Sequence, residues 1–339
     1  MRYSRLGNSG LLVSRLAFGT MTMGAAWKGP LAALGESESA TLVGRALDAG
    51  INLFDTADVY HQGESETLLG RALGQRRGEA VIATKVGMRM DGGLQNAGLS
   101  ARHIHASIDA SLARLGTDRV DLYLCHRPDP LTPLDETLAA LDAVVRAGKA
   151  RYIGFSNWPA WLAARAVAMQ QAAGLARFVA GQMYYSLLAR DIESEHVPLA
   201  LDAGMGTMVW SPLSSGFLSG KYTRDDPEGQ NGRLNTMDVL PFDRGRGYAI
   251  VDALRAIAAA RGVPVAAVAL SWVLDRPSVA TAILGFTSAA QFEANLAAAE
   301  LVLTRDERTA LDAASASALP YPQNFIARFD ADARAQALR

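Results

Sequence analysis

Residues 120–156 read VDLYLCHRPDPLTPLDETLAALDAVVRAGKARYIGFS, and the prediction of the fold depends on the pattern in this stretch. It begins with an apolar run at Val120–His126 and closes with another at Tyr152–Ser156. Short, nearly continuous apolar runs are typical of strands buried on both faces of a parallel sheet. Between them, Leu134–Ala147 is amphipathic and alanine-rich, and it is followed by Gly148, a residue that commonly ends helices. The stretch therefore predicts a strand–helix–strand unit.

The same alternation extends over the whole chain, and the first seven β runs are spaced roughly 30 residues apart. Strict alternation argues for a parallel sheet, and eight units favour a closed barrel. An open doubly wound sheet would need a G-x-G-x-x-G turn after its first strand, and residues 18–24 (FGTMTMG) lack one. We therefore predict an α/β protein with a (β/α)8 TIM barrel. The other predicted strands are Arg15–Thr20, Ile51–Asp55, Ala80–Lys85, Phe178–Met183, Thr207–Ser211 and Ala280–Leu284. The other predicted helices are Glu38–Asp48, Ser65–Leu73, Arg102–Leu115, Pro159–Ala173 and Tyr248–Arg261.

Three segments lie outside the repeat. Residues 1–15 read as two short strands around the turn Gly7-Asn8-Ser9-Gly10, a hairpin that could close the bottom of the barrel. Residues 220–248 form a long polar loop, and residues 318–339 form a C-terminal tail. No linker divides the chain, so residues 1–339 are predicted to form a single domain.

Composition excludes several classes of function. The 339 residues carry 33 basic and 34 acidic side chains, so the net charge of -1 gives no reason to expect nucleic acid or an anionic membrane as partner. Cys125 is the single cysteine, so no internal disulfide can form. Neither a signal-peptide core nor a bilayer-spanning run is visible. We expect a cytoplasmic protein whose oligomeric state the sequence does not reveal.

Four side chains that can take part in proton transfer follow three neighbouring predicted strands. Asp55 ends the second strand, Tyr60 lies five residues beyond it, Lys85 ends the third and His126 ends the fourth. The C-terminal ends of barrel strands share one rim, where active sites lie. A lysine ammonium lowers the pKa of a nearby tyrosine from its usual value of about 10, a carboxylate keeps that lysine charged, and a histidine can hold the substrate oxygen.

Three of these residues also have a structural interpretation: Asp55 as a turn cap, Lys85 as a surface charge, and His126 as a buried structural histidine. Tyr60 taken alone is uninformative. Cys125 points to the opposite face of its strand and is assigned to the core. The constellation contains a proton donor but neither an activated nucleophile nor a metal-ligand cluster. Such a site needs a cofactor to supply the other reactant.

Seven further stretches make the prediction more specific. The chain resembles the aldo-keto reductase family, whose signature is D-T-A-x-x-Y followed by G-x-S-E, and the resemblance covers nearly its whole length. The matching stretches are FDTADVYHQGESETLLGRAL (54–73), ATKVG (83–87), DLYLCHRPD (121–129), YIGFSNW (152–158), GQMYYSLL (181–188), WSPLSSGFLSGKY (210–222) and ILGFTSAAQFEANL (283–296).

The resemblance implies that Tyr60 is the general acid/base, that Lys85 and Asp55 tune it, and that His126 orients the carbonyl. It places the nicotinamide carboxamide at Ser156, Asn157 and Gln182, with Trp210 stacked on the ring. Many members have Tyr or Phe at this last position, and Trp resembles the potassium-channel β-subunit branch. The other cofactor residues implied are Gly19, Thr20, Met21, Asp55, Ser211, Pro212, Leu213, Ser214, Ser215, Lys221, Arg233, Gly285, Thr287, Gln291 and Asn295.

Two departures from the family pattern concern the choice between NADP and NAD. Many members have Lys or Arg in place of Thr287, to pair with the 2′-phosphate of NADP, and Glu in place of Ala294. Arg233 resembles an arginine that some relatives use on the same phosphate. NADP(H) is therefore favoured, with NAD(H) as the alternative.

The substrate is expected to be a small carbonyl compound or the corresponding alcohol, contacted by Trp27, Tyr60, Met88 and His126; Met21, Met23 and Tyr321–Phe325 could also line its pocket. No metal is expected. Two other functions stay open: a cofactor-binding regulatory subunit of the channel β-subunit type, and a lyase or aldolase that uses Lys85 as a Schiff-base amine.

Overall fold

A computed structural model describes residues 1–25, 34–229, 234 and 242–329 of the chain. Eight strands, each parallel to its neighbours, close into a barrel in the order β10-β3-β4-β5-β6-β7-β8-β9. They agree with the eight predicted runs to within two residues at each end, and the predicted TIM barrel is confirmed. The strands are β3 (Leu16–Gly19), β4 (Leu53–Asp55), β5 (Val81–Val86), β6 (Val120–Cys125), β7 (Ala150–Ser156), β8 (Phe178–Tyr184), β9 (Gly206–Trp210) and β10 (Val279–Gly285).

The predicted N-terminal hairpin is present as β1 (Tyr3–Arg5) and β2 (Leu12–Ser14), paired antiparallel. Leu6 and Val13 are fully buried and pack into the cluster inside the barrel. The Asn8 N–H donates to the Gly204 carbonyl (2.8 Å), just before β9 begins. The hairpin therefore closes the end of the barrel at which the strands start, opposite the rim that carries the site.

Helices surround the barrel, and all six predicted ones are present with small shifts at their ends. The helix predicted from Tyr248 begins at Arg244, because the Asp243 side chain accepts the Arg246 N–H and caps it there. The long loop predicted to reach residue 248 is correspondingly shorter, and a helix lies inside the predicted tail. The helices are α1 (Glu36–Asp48), α2 (Glu64–Leu73), α3 (Ala101–Leu115), α4 (Leu134–Arg146), α5 (Ala160–Ala173), α6 (His196–Ala203), α7 (Arg244–Arg261), α8 (Val265–Leu274), α9 (Ala289–Leu296), α10 (Arg305–Ala314) and α11 (Gln323–Phe329).

Two apolar layers stabilise this arrangement, and strand alternation separates them. Inward-facing residues such as Leu53, Ala83 and Leu124 fill the barrel. Outward-facing residues such as Phe54 and Cys125 pack under the helices. Cys125 is fully buried, and burial raises the pKa of its thiol far above the usual value, so its assignment to the core is confirmed.

Among the described residues, no single helix is long and apolar enough to cross a bilayer; α7 and α8 meet the requirements of length and composition only when taken together, and the two are bent by 103° at the break between them.

Candidate active site

Five of the predicted site residues face the inside of the barrel, one layer above its apolar core. Side chains on a strand alternate between faces, so the residue two positions after an inward core residue also faces inward. Leu53, Ala83 and Leu124 belong to the interior cluster, and Asp55, Lys85 and His126 each follow one of them by two. The same count from Ala180 and Met208 gives Gln182 and Trp210. Strand geometry therefore places five of the predicted residues in one layer.

The Lys85 ammonium lies at the centre of the predicted catalytic residues. Its side chain is fully buried, and Nζ donates to Asp55 Oδ2 (2.7 Å), to the Thr56 carbonyl (2.8 Å) and to Tyr60 Oη (3.4 Å). Burial lowers the pKa of Lys85, but Asp55 and Tyr60 raise that pKa by more, so the net shift is upward. Lys85 is therefore an ammonium at neutral pH.

Tyr60 and His126 face each other across the rim. Tyr60 opens the tight turn Tyr60–Gly63 after β4, and His126 comes directly after β6. Their rings meet edge to face, with centroids 5.9 Å apart. Burial lowers the pKa of His126 to about 3, with Lys85 and Arg127 adding to the effect. His126 is therefore neutral at physiological pH and can donate a hydrogen bond without carrying a charge.

We call Asp55, Tyr60, Lys85 and His126 the tetrad. A chain of hydrogen bonds joins it to the residues predicted to bind nicotinamide. Gln182 Nε2 donates to Asp55 Oδ1 (2.7 Å), and Ser156 Oγ donates to the Gln182 carbonyl (2.9 Å). Asn157 Nδ2 donates to Ser156 Oγ (2.9 Å) and to the His126 carbonyl (3.2 Å). Trp210 Nε1 donates to Asn157 Oδ1 (3.0 Å), which fixes the indole beside the tetrad. The residues predicted to bind the ring and those predicted to be catalytic thus form one connected unit.

The turn after β9 is the segment predicted to hold the pyrophosphate of the cofactor. Ser211, Ser214 and Ser215 all have positive φ, at 50°, 49° and 56°. Ser214 is held by Tyr184 Oη (3.2 Å) and Ser186 Oγ (2.8 Å). Pro212 is buried and Leu213 half-buried, so they support the turn from below. Lys221 is exposed and its Nζ lies 5.1 Å from the Tyr222 ring centroid. Such turned backbone segments and a nearby ammonium fit a pyrophosphate.

The remaining predicted cofactor residues follow β10 and β3. The Thr287 backbone N–H and Oγ1 both donate to Gln291 Oε1 (3.1 and 2.8 Å), at the start of α9, and Asn295 is half-buried on that helix. Gly285 is exposed at the end of β10. Gly19 ends β3, and the Thr20 N–H donates to the Asp55 carbonyl (2.9 Å).

The proposed substrate pocket is described only in part. Met21 and Met88 are half-buried and follow the rim strands β3 and β5 by two residues each. Trp27 and Arg233, predicted to contact substrate and cofactor, lie outside the described residues. Within the described ranges, no group of three or more His, Cys, Asp or Glu side chains is placed to hold a metal ion.

The G-x-S-E motif, Gly63–Glu66, has no role predicted from the sequence, and the structure supplies one. Ser65 Oγ donates to the Thr20 carbonyl (2.8 Å). Glu66 is fully buried and accepts from Thr84 Oγ1 (2.5 Å) and Arg114 Nε (2.7 Å). A Cβ on Gly63 would lie 2.5 Å from the Arg114 side chain, so only glycine fits there. The motif therefore ties α2 to β3, β5 and α3, around the tyrosine turn.

Fold and rim together define the class of protein: a (β/α)8 barrel with titratable side chains gathered at the strand ends, as in barrel enzymes. A model of the Aldo/keto reductase family matches residues 15–316, and the chain belongs to that family. It is accordingly an oxidoreductase, and the cofactor of this family is a nicotinamide nucleotide.

Three relatives illustrate the similarity. A probable voltage-gated potassium channel subunit beta of Oryza sativa subsp. japonica is 36% identical over 312 residues, covering 89% of this chain and 92% of that protein. The versiconal hemiacetal acetate reductase of Aspergillus parasiticus is 35% identical over 329 residues, covering 91% and 95%. An uncharacterized oxidoreductase of Bacillus subtilis is 35% identical over 317 residues, covering 90% and 93%.

Proposed function

We propose that this oxidoreductase interconverts a carbonyl compound (aldehyde, ketone or sugar) and its alcohol with NADP(H), and that Tyr60 is the general acid/base. The observation that carries the proposal is the position of the Lys85 ammonium, 3.4 Å from Tyr60 Oη and 2.7 Å from Asp55 Oδ2. A phenol of ordinary pKa, about 10, is a poor proton donor near neutral pH. A permanently charged neighbour favours its phenolate and so makes the phenol more acidic.

The charge states of His126 and Lys85 determine which role each side chain can have. His126 is neutral, so we assign it to hold the substrate oxygen by a hydrogen bond while Tyr60 transfers the proton. Lys85 is protonated and bound to a carboxylate, whereas a Schiff-base amine must be neutral to attack a carbonyl. The geometry thus favours a reductase over an aldolase or lyase that uses Lys85.

The residues of the rim fit a dinucleotide. Ser156, Asn157, Gln182 and Trp210 would hold its nicotinamide end, and the serine turn with Lys221 would hold the pyrophosphate. When bound there, the nicotinamide supplies or accepts the hydride. We propose NADP(H) because Arg233 follows the serine turn in sequence and could pair with a 2′-phosphate, with NAD(H) as the alternative because Thr287 is uncharged. A cytoplasmic location stays a prediction.

The test is NADPH oxidation with a panel of aldehydes, ketones and sugars, comparing wild type with Tyr60→Phe. Loss of the general acid should lower kcat by about 10²–10⁴-fold while the Kd for NADPH changes little. Tyr152→Phe is the matched control, because Tyr152 lies near the opposite end of the barrel. A Tyr60→Phe protein as active as the control would refute the assignment.

A regulatory role is the second candidate, and the specific observation behind it is the similarity to proteins named as potassium channel β-subunits. In that case wild-type protein should bind NADPH tightly, turn over very slowly on every carbonyl tested, and bind a specific channel partner. Ordinary turnover, with kcat in the range of about 1–10³ s⁻¹, would favour the reductase.

A further inference from the structure

Directly after Tyr60 the backbone takes a conformation that most residues avoid. His61 (φ 49°, ψ 37°) and Gln62 (φ 57°, ψ 37°) are left-handed, and Gly63 follows with φ 90°. A left-handed conformation is unfavourable for a non-glycine residue, because its Cβ approaches the following carbonyl oxygen too closely. Such strain persists where neighbouring contacts impose it, commonly at functional sites.

The contacts that impose it come from the loop after β3. The His61 side chain is buried, and its Nε2 lies 3.2 Å from the Met21 carbonyl oxygen. A carbonyl oxygen only accepts, so Nε2 must carry the hydrogen. Gly24 packs so closely on the imidazole that a Cβ there would lie 2.8 Å from it. Burial lowers the pKa of His61, with the Met21 carbonyl and Glu64 opposing, and the ring is neutral at pH 7.

Two further contacts join the same segments. Glu64 Oε2 accepts the Ala25 N–H (2.8 Å), and Ser65 Oγ donates to the Thr20 carbonyl (2.8 Å). Residues 20–25 and 61–65 thus form one unit, which we call the β3 latch. On the other side, the Asp58 N–H donates to the Lys85 carbonyl (3.3 Å). Tyr60 therefore lies between two fixed segments: the β3 latch on one side and Asp58, bonded to the Lys85 carbonyl, on the other.

The position of the Tyr60 hydroxyl depends on the contacts that hold the chain on either side of it. The hydroxyl is 3.4 Å from Lys85 Nζ, at the long end of hydrogen-bond distance, so a shift of the turn would separate the two groups. The loop after β3 also leads towards the predicted substrate contacts. We propose that His61 is a positioning residue that, through the β3 latch, sets the Tyr60 hydroxyl against Lys85 and His126. The kinetic part of this inference depends on the function proposed above.

The test compares two variants that lack the hydrogen bond to Met21, one variant that keeps a donor, and one control. His61→Leu removes the donor at similar volume, and His61→Asn tolerates the left-handed backbone but is too short to reach Met21. His61→Gln keeps an amide N–H with comparable reach. Gln62→Gly is the matched control, because Gln62 is exposed and its side chain makes none of the latch contacts described above, so its replacement relaxes the same turn and leaves those contacts in place.

Two measurements are made on each protein. Amide hydrogen exchange of residues 20–25, in the absence of substrate, should be at least about 10-fold faster in His61→Leu and His61→Asn, and near wild type in His61→Gln and Gln62→Gly. In the reductase assay, the two donor-free variants should lose about 10–100-fold in kcat with KM within about 3-fold, because a misplacement of about 1 Å can have that effect.

Unchanged exchange in both donor-free variants would overturn the proposal, as would faster exchange with kcat kept within about 2-fold of wild type. Equal losses in Gln62→Gly would show that strain relief, and not the latch, matters. If wild type reduces no carbonyl, the proposed function fails, while the exchange data still report on whether His61 holds the loop.

Discussion

Asp58 is a buried carboxyl that has no cation of its own. It is 1% exposed, and neither side-chain oxygen has a hydrogen-bond partner among the described residues; the Val59 N–H faces the carboxyl but falls outside hydrogen-bond geometry. The nearby cations are already paired, Arg114 with Glu66 at 2.7 Å and Lys85 with Asp55 at 2.7 Å. Burial is the main cause that raises the pKa of Asp58, and Glu66 adds to it. The Val59 N–H, Arg114 and Lys85 offset only part, which leaves the pKa at about 8.

This pKa makes a quantitative prediction about stability. Between pH 4 and 8 the folded protein holds a proton on Asp58 that the unfolded chain, with a carboxyl pKa of 3.8, has already released. The unfolded state binds fewer protons, so the free energy of unfolding falls as pH rises, by about 1.4 kcal/mol per pH unit. Across the window this amounts to roughly 5 kcal/mol as an upper limit.

Asp58→Asn removes the titration. Its free energy of unfolding, relative to wild type, should therefore rise by about 1.4 kcal/mol per unit between pH 5 and 8. The slope is the quantity to test, because the packing of the amide adds an offset that does not depend on pH. Urea unfolding at pH 5, 6, 7 and 8, followed by fluorescence of the five tryptophans, measures it. The exposed Asp225 provides the control variant, Asp225→Asn, which should show no slope. If the difference in the free energy of unfolding between Asp58→Asn and wild type does not change with pH, the Asp58 carboxyl is ionised in the folded protein and its pKa is not raised.

Two more predictions concern the rim. Asp55→Asn leaves the buried Lys85 without its carboxylate partner, so the free energy of unfolding should fall by about 3–5 kcal/mol and kcat should fall with it; urea unfolding and the reductase assay check this, and an unchanged stability would contradict it. Thr287→Arg places a cation at the predicted 2′-phosphate position, so the Kd for NADPH should fall by about 10-fold, the effect of one charge-assisted hydrogen bond. Fluorescence titration should show no such change for NADH, and an equal gain for both cofactors would refute the placement.

The strands were predictable because each is a short apolar run with a single structural reading. The tetrad was predictable for a related reason: Asp55, Lys85 and His126 each lie at the end of one such run, where barrel geometry brings them to the same rim. The helices that were missed lacked this clarity. α8 is buried at every position except Val265, so it shows no polar face and no helical period. The start of α10 does have a clear signal in the sequence, because Thr304 and Glu307 form a capping box there.

The supporting residues were not predictable, because their roles depend on partners far away in sequence. From the sequence alone, Glu66 has the position of an ordinary helix-surface carboxylate. Only the fold brings Thr84 of β5 and Arg114 of α3 into contact with it. His61 reads as a loop histidine until the Met21 carbonyl is placed against it. Their positions are nevertheless constrained by the chain, since the left-handed turn is the only covalent link between Tyr60 and the start of α2. An insertion between Tyr60 and Ser65 would therefore separate the proton donor from the contacts that position it, even though Asp55, Lys85 and His126 would still lie at the ends of their own strands.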